Sequence, residues 1–132
     1  MYRFLLDTNI LLHYLHGSDP TFDPLFHAFE QGSIALLCSL VSEYELLGYP
    51  NITNDEEAAI TSLLSTLEVI TIDRRIITTA ALLRRRYHKK PLDLFIAATA
   101  IVHNIPLITK NVRDFQRIDG LTVLKTPPSL FE

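Results

Sequence analysis

Apolar residues fall along this chain in two patterns that take turns. Short, largely apolar runs occupy residues 2–6, 34–37, 69–72, 107–108 and 121–124, without the in-out alternation of a half-solvated strand. Such runs predict strands buried on both faces. Between them, apolar positions recur at helical spacing: Ile10, Leu11, Tyr14 and Leu15; Ile60, Leu63, Leu64 and Leu67; Ile76, Ala80, Leu83 and Tyr87; Leu92, Phe95, Ile96, Thr99 and Val102. Thr53 and Glu56 stand three apart ahead of the second stripe as a capping box. The third and fourth stripes predict helices over about 74–87 and 92–103, and Ser39 or Ser42 caps a further helix running to Gly48. Strands alternating with helices predict an α/β domain with a mostly parallel sheet covered on both sides. Ligands of such sheets gather beyond the carboxyl ends of the strands, where strand order reverses.

Composition narrows the class. The chain has 132 residues, 48% of them hydrophobic, one cysteine and no tryptophan, which suits a single domain over 1–132 with its own core. Glycine and proline are scattered singly until Pro127-Pro128, so no linker is expected. Cys38 sits inside an apolar run, which predicts a buried, reduced thiol and a cytoplasmic protein and excludes a disulfide scaffold. The apolar run over 94–102 is too short to span a bilayer, and no targeting segment or membrane association is expected.

Charge changes the picture more. The net charge of −3 hides eleven acids and one base in residues 1–73 against eleven bases and four acids in residues 74–132. Seven of those bases lie between Arg74 and Lys90 with no acid among them. Such a polarised chain offers one surface to a polyanion and another to a cation. Continuing the helical spacing past Tyr87 sets Arg85 beside Lys89, and Arg86 beside Lys89 and Lys90, as a phosphate-binding ridge. Lys110, Arg113 and Arg117 extend it. A last-turn cation also complements the helix dipole, but seven bases exceed what a helix end requires.

Three aspartates fall at element ends: Asp7 after the first strand, Asp93 in the first turn of a helix after Pro91, and Asp114 shortly after the strand 107–108. Each taken alone reads more readily as a helix cap than as a site residue, and only the coincidence of several carries weight. Glu43 and Glu45 are two apart, about 200° around a helix, so only one of them faces a given site, and periodicity does not choose. Two carboxylates ~4 Å apart repel by about 4 kcal/mol at an effective dielectric near 20. A converging cluster must therefore take up protons or bind a cation, and oxygen donors without clustered Cys or His select Mg²⁺ or Mn²⁺ over Zn²⁺. Phosphodiester hydrolysis is the matching reaction class. No Gly-x-Ser-x-Gly, Gly-x-Gly-x-x-Gly, P-loop or His-Glu-x-x-His pattern occurs. An aspartyl-phosphatase wants a second aspartate where Asn9 stands.

In order, the segments Leu6-Asp7-Thr8-Asn9, Ser39 through Glu45-Leu46-Leu47, Pro91-Leu92-Asp93 with Ile96-Ala97-Ala98-Thr99-Ala100, and Leu107 through Asp114-Phe115 resemble the PIN-domain family. The likeness is to the VapC-type ribonuclease toxins of toxin–antitoxin pairs, and it spans essentially the whole chain. It implies a three-layer α/β/α sandwich around a roughly five-stranded sheet and Mg²⁺- or Mn²⁺-dependent endoribonuclease activity. It also implies restraint by a small VapB-like antitoxin, and a homodimer. Carried onto this chain, the catalytic acids are Asp7, Glu45, Asp93 and Asp114, with Asp7, Asp93 and Asp114 as metal ligands. Thr8, Asn9, Thr109 and Asn111 become the polar residues supporting them, and the likeness selects Glu45 over Glu43. Gly48 stands one position earlier than the family's glycine. RNA contacts fall to Arg85, Arg86, Lys89, Lys90, Lys110 and Arg113. The competing reading is an inert RNA- or protein-binding module of the same shape.

Overall fold

The computed structural model describes residues 1–17 and 20–125; Asp19 and the Pro127-Pro128 pair lie outside the described residues. The chain runs β1 (Tyr2–Leu6), α1 (Thr8–His16), a 3-10 turn (Pro20–Phe22), α2 (Asp23–Glu30), β2 (Ile34–Ser39), α3 (Leu40–Leu47), α4 (Asn54–Thr66) and β3 (Glu68–Ile70). It continues through α5 (Arg74–Arg86), α6 (Pro91–His103), β4 (Leu107–Ile108), α7 (Val112–Phe115) and β5 (Val123–Leu124). All pairings are parallel, in the order β3-β2-β1-β4-β5. The first three strands spread one way from β1 and the last two the other way, so strand order reverses between β1 and β4.

The unbroken apolar runs follow from burial on both sides. Along β1, Phe4 and Leu6 enter one core with Ile10, Leu11, Leu25 and Ile60, while Leu5 enters the other with Ile76, Leu83, Ile96 and Leu107. α1, α2 and α4 thus cover one face, α5 and α6 the other, and the result is an α/β/α sandwich. Cys38 is fully buried in the first core, and burial pushes its thiol pKa up to about 12, far from the reactive thiolate range.

Local signals set most element ends. The Thr53 hydroxyl accepts from the Glu56 amide at 3.0 Å and Glu56 accepts from the Thr53 amide at 3.1 Å, the reciprocal box expected at the start of α4. Ser39, rather than Ser42, caps α3, its hydroxyl accepting from the Val41 amide at 3.1 Å.

Four expectations need correction. The third strand covers 68–70 rather than 69–72, because Ile70 pairs with Ser39, the last residue of β2, and Thr71 then has no partner. Only Val123–Leu124 of the run 121–124 pairs, since β4 offers two residues. α2 has no counterpart in the four predicted stripes. At eight residues it is too short for a periodic signal, and Pro24 in its first turn is its one clear marker. α7 is likewise absent from the predicted elements; it begins at Val112 and takes Asp114 into its single turn.

The basic ridge is the larger correction. α5 ends at Arg86; Tyr87 is extended, and so is Lys90 at φ −63° and ψ 140° ahead of Pro91. The helix has already ended at Tyr87, and Pro91 holds Lys90 extended, so Lys89 and Lys90 lie outside the helix instead of stacking on Arg85 and Arg86. Arg86 pairs with Asp119 at 2.8 Å, and Lys89 donates to the Arg113 carbonyl at 3.0 Å. Arg85 stays on exposed helix surface, and Lys90 instead turns to the acidic residues.

Candidate active site

Parallel strands end together, so the residues that follow them share one rim. Asp7 follows β1, Thr109 follows β4, and α3 starts directly from β2, which puts all three segments around the point where strand order reverses. There a pocket of about 450 Å³ opens, lined by Asp7, Glu45, Asp93 and Asp114 together with Lys90 and Asn111. The four acids come from α1's cap, α3, α6 and α7. Glu43 is not among the lining residues; its charge bears on Cys38 instead.

Asp7 is almost fully buried and its carboxylate is held from several sides. Oδ1 accepts from the Thr8 amide at 2.8 Å, as an N-cap of α1. Oδ2 accepts from the Thr109 hydroxyl at 2.8 Å and from Asn9 Nδ2 at 3.0 Å. Thr109 Oγ1 in turn accepts from the Asn111 amide at 3.0 Å, and Asn9 Oδ1 accepts from the Lys110 amide at 3.3 Å. Asp7 is therefore both the cap that sequence suggests and a wall of the pocket. Of the polar residues named from the sequence, Asn9, Thr109 and Asn111 form this web, in which Asn111 enters through its backbone. Thr8 links Asp7 to the opposite wall, donating its hydroxyl to Glu45 Oε1 at 2.7 Å.

Electrostatics report the crowding. Burial raises the Asp7 carboxyl pKa above its ordinary value, with Glu45 and Asp114 adding to the rise and the bonds from Thr109 and Thr8 opposing it. Asp93 is pushed up to about 6, first by burial and then by the charges of Asp7, Asp114 and Glu45, against a smaller pull from Lys90. Asp7 and Asp93 thus both feel the charges of Glu45 and Asp114.

The donor set is hard oxygen, which fits Mg²⁺ or Mn²⁺ in kind. Among the described residues, no three His, Cys, Asp or Glu side chains stand close enough together to form a ready-made ligand set. The pocket is an acidic mouth rather than a closed cage. That suits Mg²⁺, which keeps several waters and takes one or two carboxylates, better than an ion needing a complete protein shell.

The other predicted cations are dispersed. Lys110 Nζ lies 3.2 Å from His13 Nε2, while Lys110 and Arg113 border an adjoining depression with Lys125, which shares Asn111 and Asp114 with the acidic pocket. Sequence reasoning read Ser42 only as a cap. Its hydroxyl lies 2.8 Å from Thr8 Oγ1, and the usable signal was its position three residues before Glu45, on the same helical face.

Fold and pocket together define an α/β protein with an acidic cleft at the switch point of a parallel sheet. The PIN domain model matches residues 4–121, and the chain belongs to that family. A Ribonuclease VapC of Rickettsia bellii is 57% identical over 35 residues, a match covering 26% of this chain and 26% of that protein. Ribonuclease VapC1 of Methanocaldococcus jannaschii is 28% identical over 122 residues, covering 88% of this chain and 81% of its own. A solved toxin-antitoxin complex from Klebsiella pneumoniae contains a chain 32% identical to this one, with a TM-score of 0.72 and coverage of 92% of this chain and 95% of that one.

Proposed function

We propose that this protein is a divalent-metal-dependent endoribonuclease of the VapC type, hydrolysing RNA phosphodiester bonds in the acidic cleft and held in check by a small VapB-like antitoxin. The observation that carries the reading is the meeting of four acids, drawn from positions 7, 45, 93 and 114, in one pocket. The names of the matched relatives and the toxin-antitoxin complex among the solved structures support it.

In this reading one or two of Asp7, Asp93 and Asp114 would hold Mg²⁺ or Mn²⁺ directly, the remainder acting through the waters the ion keeps. The ion, when bound, would neutralise the cluster, polarise a phosphoryl oxygen and acidify water. The chain does the rest. Thr109, Asn9 and the Thr8 amide fix Asp7 before any ligand arrives, so orientation entropy is already lost in the fold. Glu45 faces the same space, positioned to accept a proton from water. Lys90 at the pocket, with Lys110 and Arg113 beside it, attracts the phosphate backbone; Lys89, Arg85 and Arg86 are more remote, and Arg86 is already paired with Asp119.

A groove of about 380 Å³ between α1, α3 and α4, lined by Leu12, Leu15, Leu46, Ile52 and Ile60, suits the apolar face of an antitoxin segment. A homodimer and a cytoplasmic location belong to the same reading. Among the described residues no helix is long and apolar enough to cross a membrane.

The test is cleavage of single-stranded and structured RNAs by the purified chain with Mg²⁺, with Mn²⁺ and with EDTA, alongside Asp7→Asn. Metal-dependent scission lost in the variant is expected. RNA binding without scission would favour the inert module, and scission indifferent to EDTA would overturn the metal role.

A further inference from the structure

α3 places a buried hydroxyl against Thr8, behind the acidic pocket, that the reading above does not use. Ser42 is fully buried, and its Oγ lies 2.8 Å from Thr8 Oγ1, itself buried. Thr8 Oγ1 is also 2.7 Å from Glu45 Oε1. A hydroxyl has one proton, and an ionised carboxylate only accepts. Thr8 Oγ1 donates its proton to Glu45 Oε1 at 2.7 Å. That leaves Thr8 Oγ1 as an acceptor, and the 2.8 Å contact is a hydrogen bond only if Ser42 donates it.

We propose that Ser42 is a positioning residue for Glu45, its buried hydroxyl donating to Thr8 Oγ1 and so holding the Thr8 side chain in the rotamer from which it bonds Glu45 and aims the carboxylate into the cleft. The proposal rests on the endoribonuclease reading for its effect on rate, though not for its geometry. The arrangement is rigid at both ends. Ser42 sits in the first turn of α3, whose start is fixed by the Ser39 cap, and the Thr8 amide is tied to Asp7 at 2.8 Å. Thr8 thereby joins the Asp7 and Glu45 walls, and Ser42 removes the rotational choice its side chain would otherwise have. Without Ser42 the Thr8 side chain turns more freely and Glu45 spends less time in one orientation. Groups that hold a functional side chain in place commonly contribute about 10-fold to 100-fold.

The experiment is a double-mutant cycle on the full chain with RNA and Mg²⁺: Ser42→Ala, Thr8→Val and the pair. Ser42→Ala should lower kcat about 10-fold with little change in KM. Added to Thr8→Val, the same change should cost almost nothing further, because Ser42 acts only through the Thr8 hydroxyl. Additive losses, or a loss residing in KM, would mean a packing role and overturn the proposal. A second readout needs no turnover. In the metal-free wild type the Thr8 hydroxyl proton should give a slowly exchanging NMR signal that disappears in Ser42→Ala. A signal missing from the wild type, or unchanged in the variant, overturns the proposal whether or not RNA is cut. A signal that behaves as expected in a protein that cuts no RNA sinks the ribonuclease reading alone.

Discussion

Replacing Asp93 by Asn should make the metal-free protein more stable, and only above acidic pH. In the folded chain the Asp93 carboxyl is raised from its ordinary 3.8 to about 6, so the fold holds this proton more tightly than the unfolded chain does. The sign follows. Below about pH 4 the group is protonated in both states and costs nothing; as pH rises towards 6 the unfolded chain ionises first, and stability falls until the folded group ionises as well. At about 1.4 kcal/mol for each tenfold change in proton affinity, the full rise would be about 3 kcal/mol. Asp93 is only half-buried, and water screening reduces that figure to about 1–2 kcal/mol. Its place in the first turn of α6 gives the charged form about 0.5 kcal/mol in the other direction, which Asn forfeits. The net expectation is about 1 kcal/mol at pH 8, or a rise in Tm of about 3–5 °C for a chain of this size. Thermal unfolding of wild type and Asp93→Asn between pH 4 and 8 in EDTA measures it, with the gap closing at the acidic end. A gap independent of pH, or a variant less stable at pH 8, would show that neither burial nor the neighbouring carboxylates burden the Asp93 charge. Excess Mg²⁺ should then raise the Tm of the wild type more than that of the variant, since binding to the folded state alone stabilises it.

Other residues give sharper contrasts. Glu45→Gln should lower RNA cleavage at least 10-fold while Glu43→Gln stays within about twofold, because only Glu45 lines the cleft; equal losses in steady-state assays would reverse the choice. Thr109→Val keeps the volume but removes the hydroxyl that opposes the raised pKa of Asp7. The acid limb of the pH–rate profile should therefore move to higher pH, and an unmoved limb would remove Asp7 from that step. Lys110→Gln should weaken RNA binding and reduce the slope of log affinity against log salt by about one, whereas Arg86→Gln, whose charge is already paired with Asp119, should change it less. Filter binding in EDTA across a salt series separates the two.

Much of this architecture is local and was legible along the chain. Strand runs, the Thr53–Glu56 box and the stripes of α5 and α6 each depend on residues within one or two turns of one another, so spacing and capping chemistry reveal them directly. Asp7 and Asp93 were visible for the same reason, each standing at an element end. What stayed hidden lies in relations between segments. The end of β3 is set by where β2 stops, and the basic ridge breaks where α5 ends at Arg86, short of the Lys89 and Lys90 that spacing alone would have stacked on it. The choice of Glu45 over Glu43 came from family likeness, and its geometry depends on Thr8, 37 residues earlier. The bond holding Asp7 comes from Thr109, 102 residues later. Side-chain types and local periodicity thus determined the parts and the chemistry they carry. Strand order and the packing of α6 on the sheet decided which carboxylates meet, because a site at a switch point is assembled from chain segments whose separation along the sequence carries no signal of their proximity.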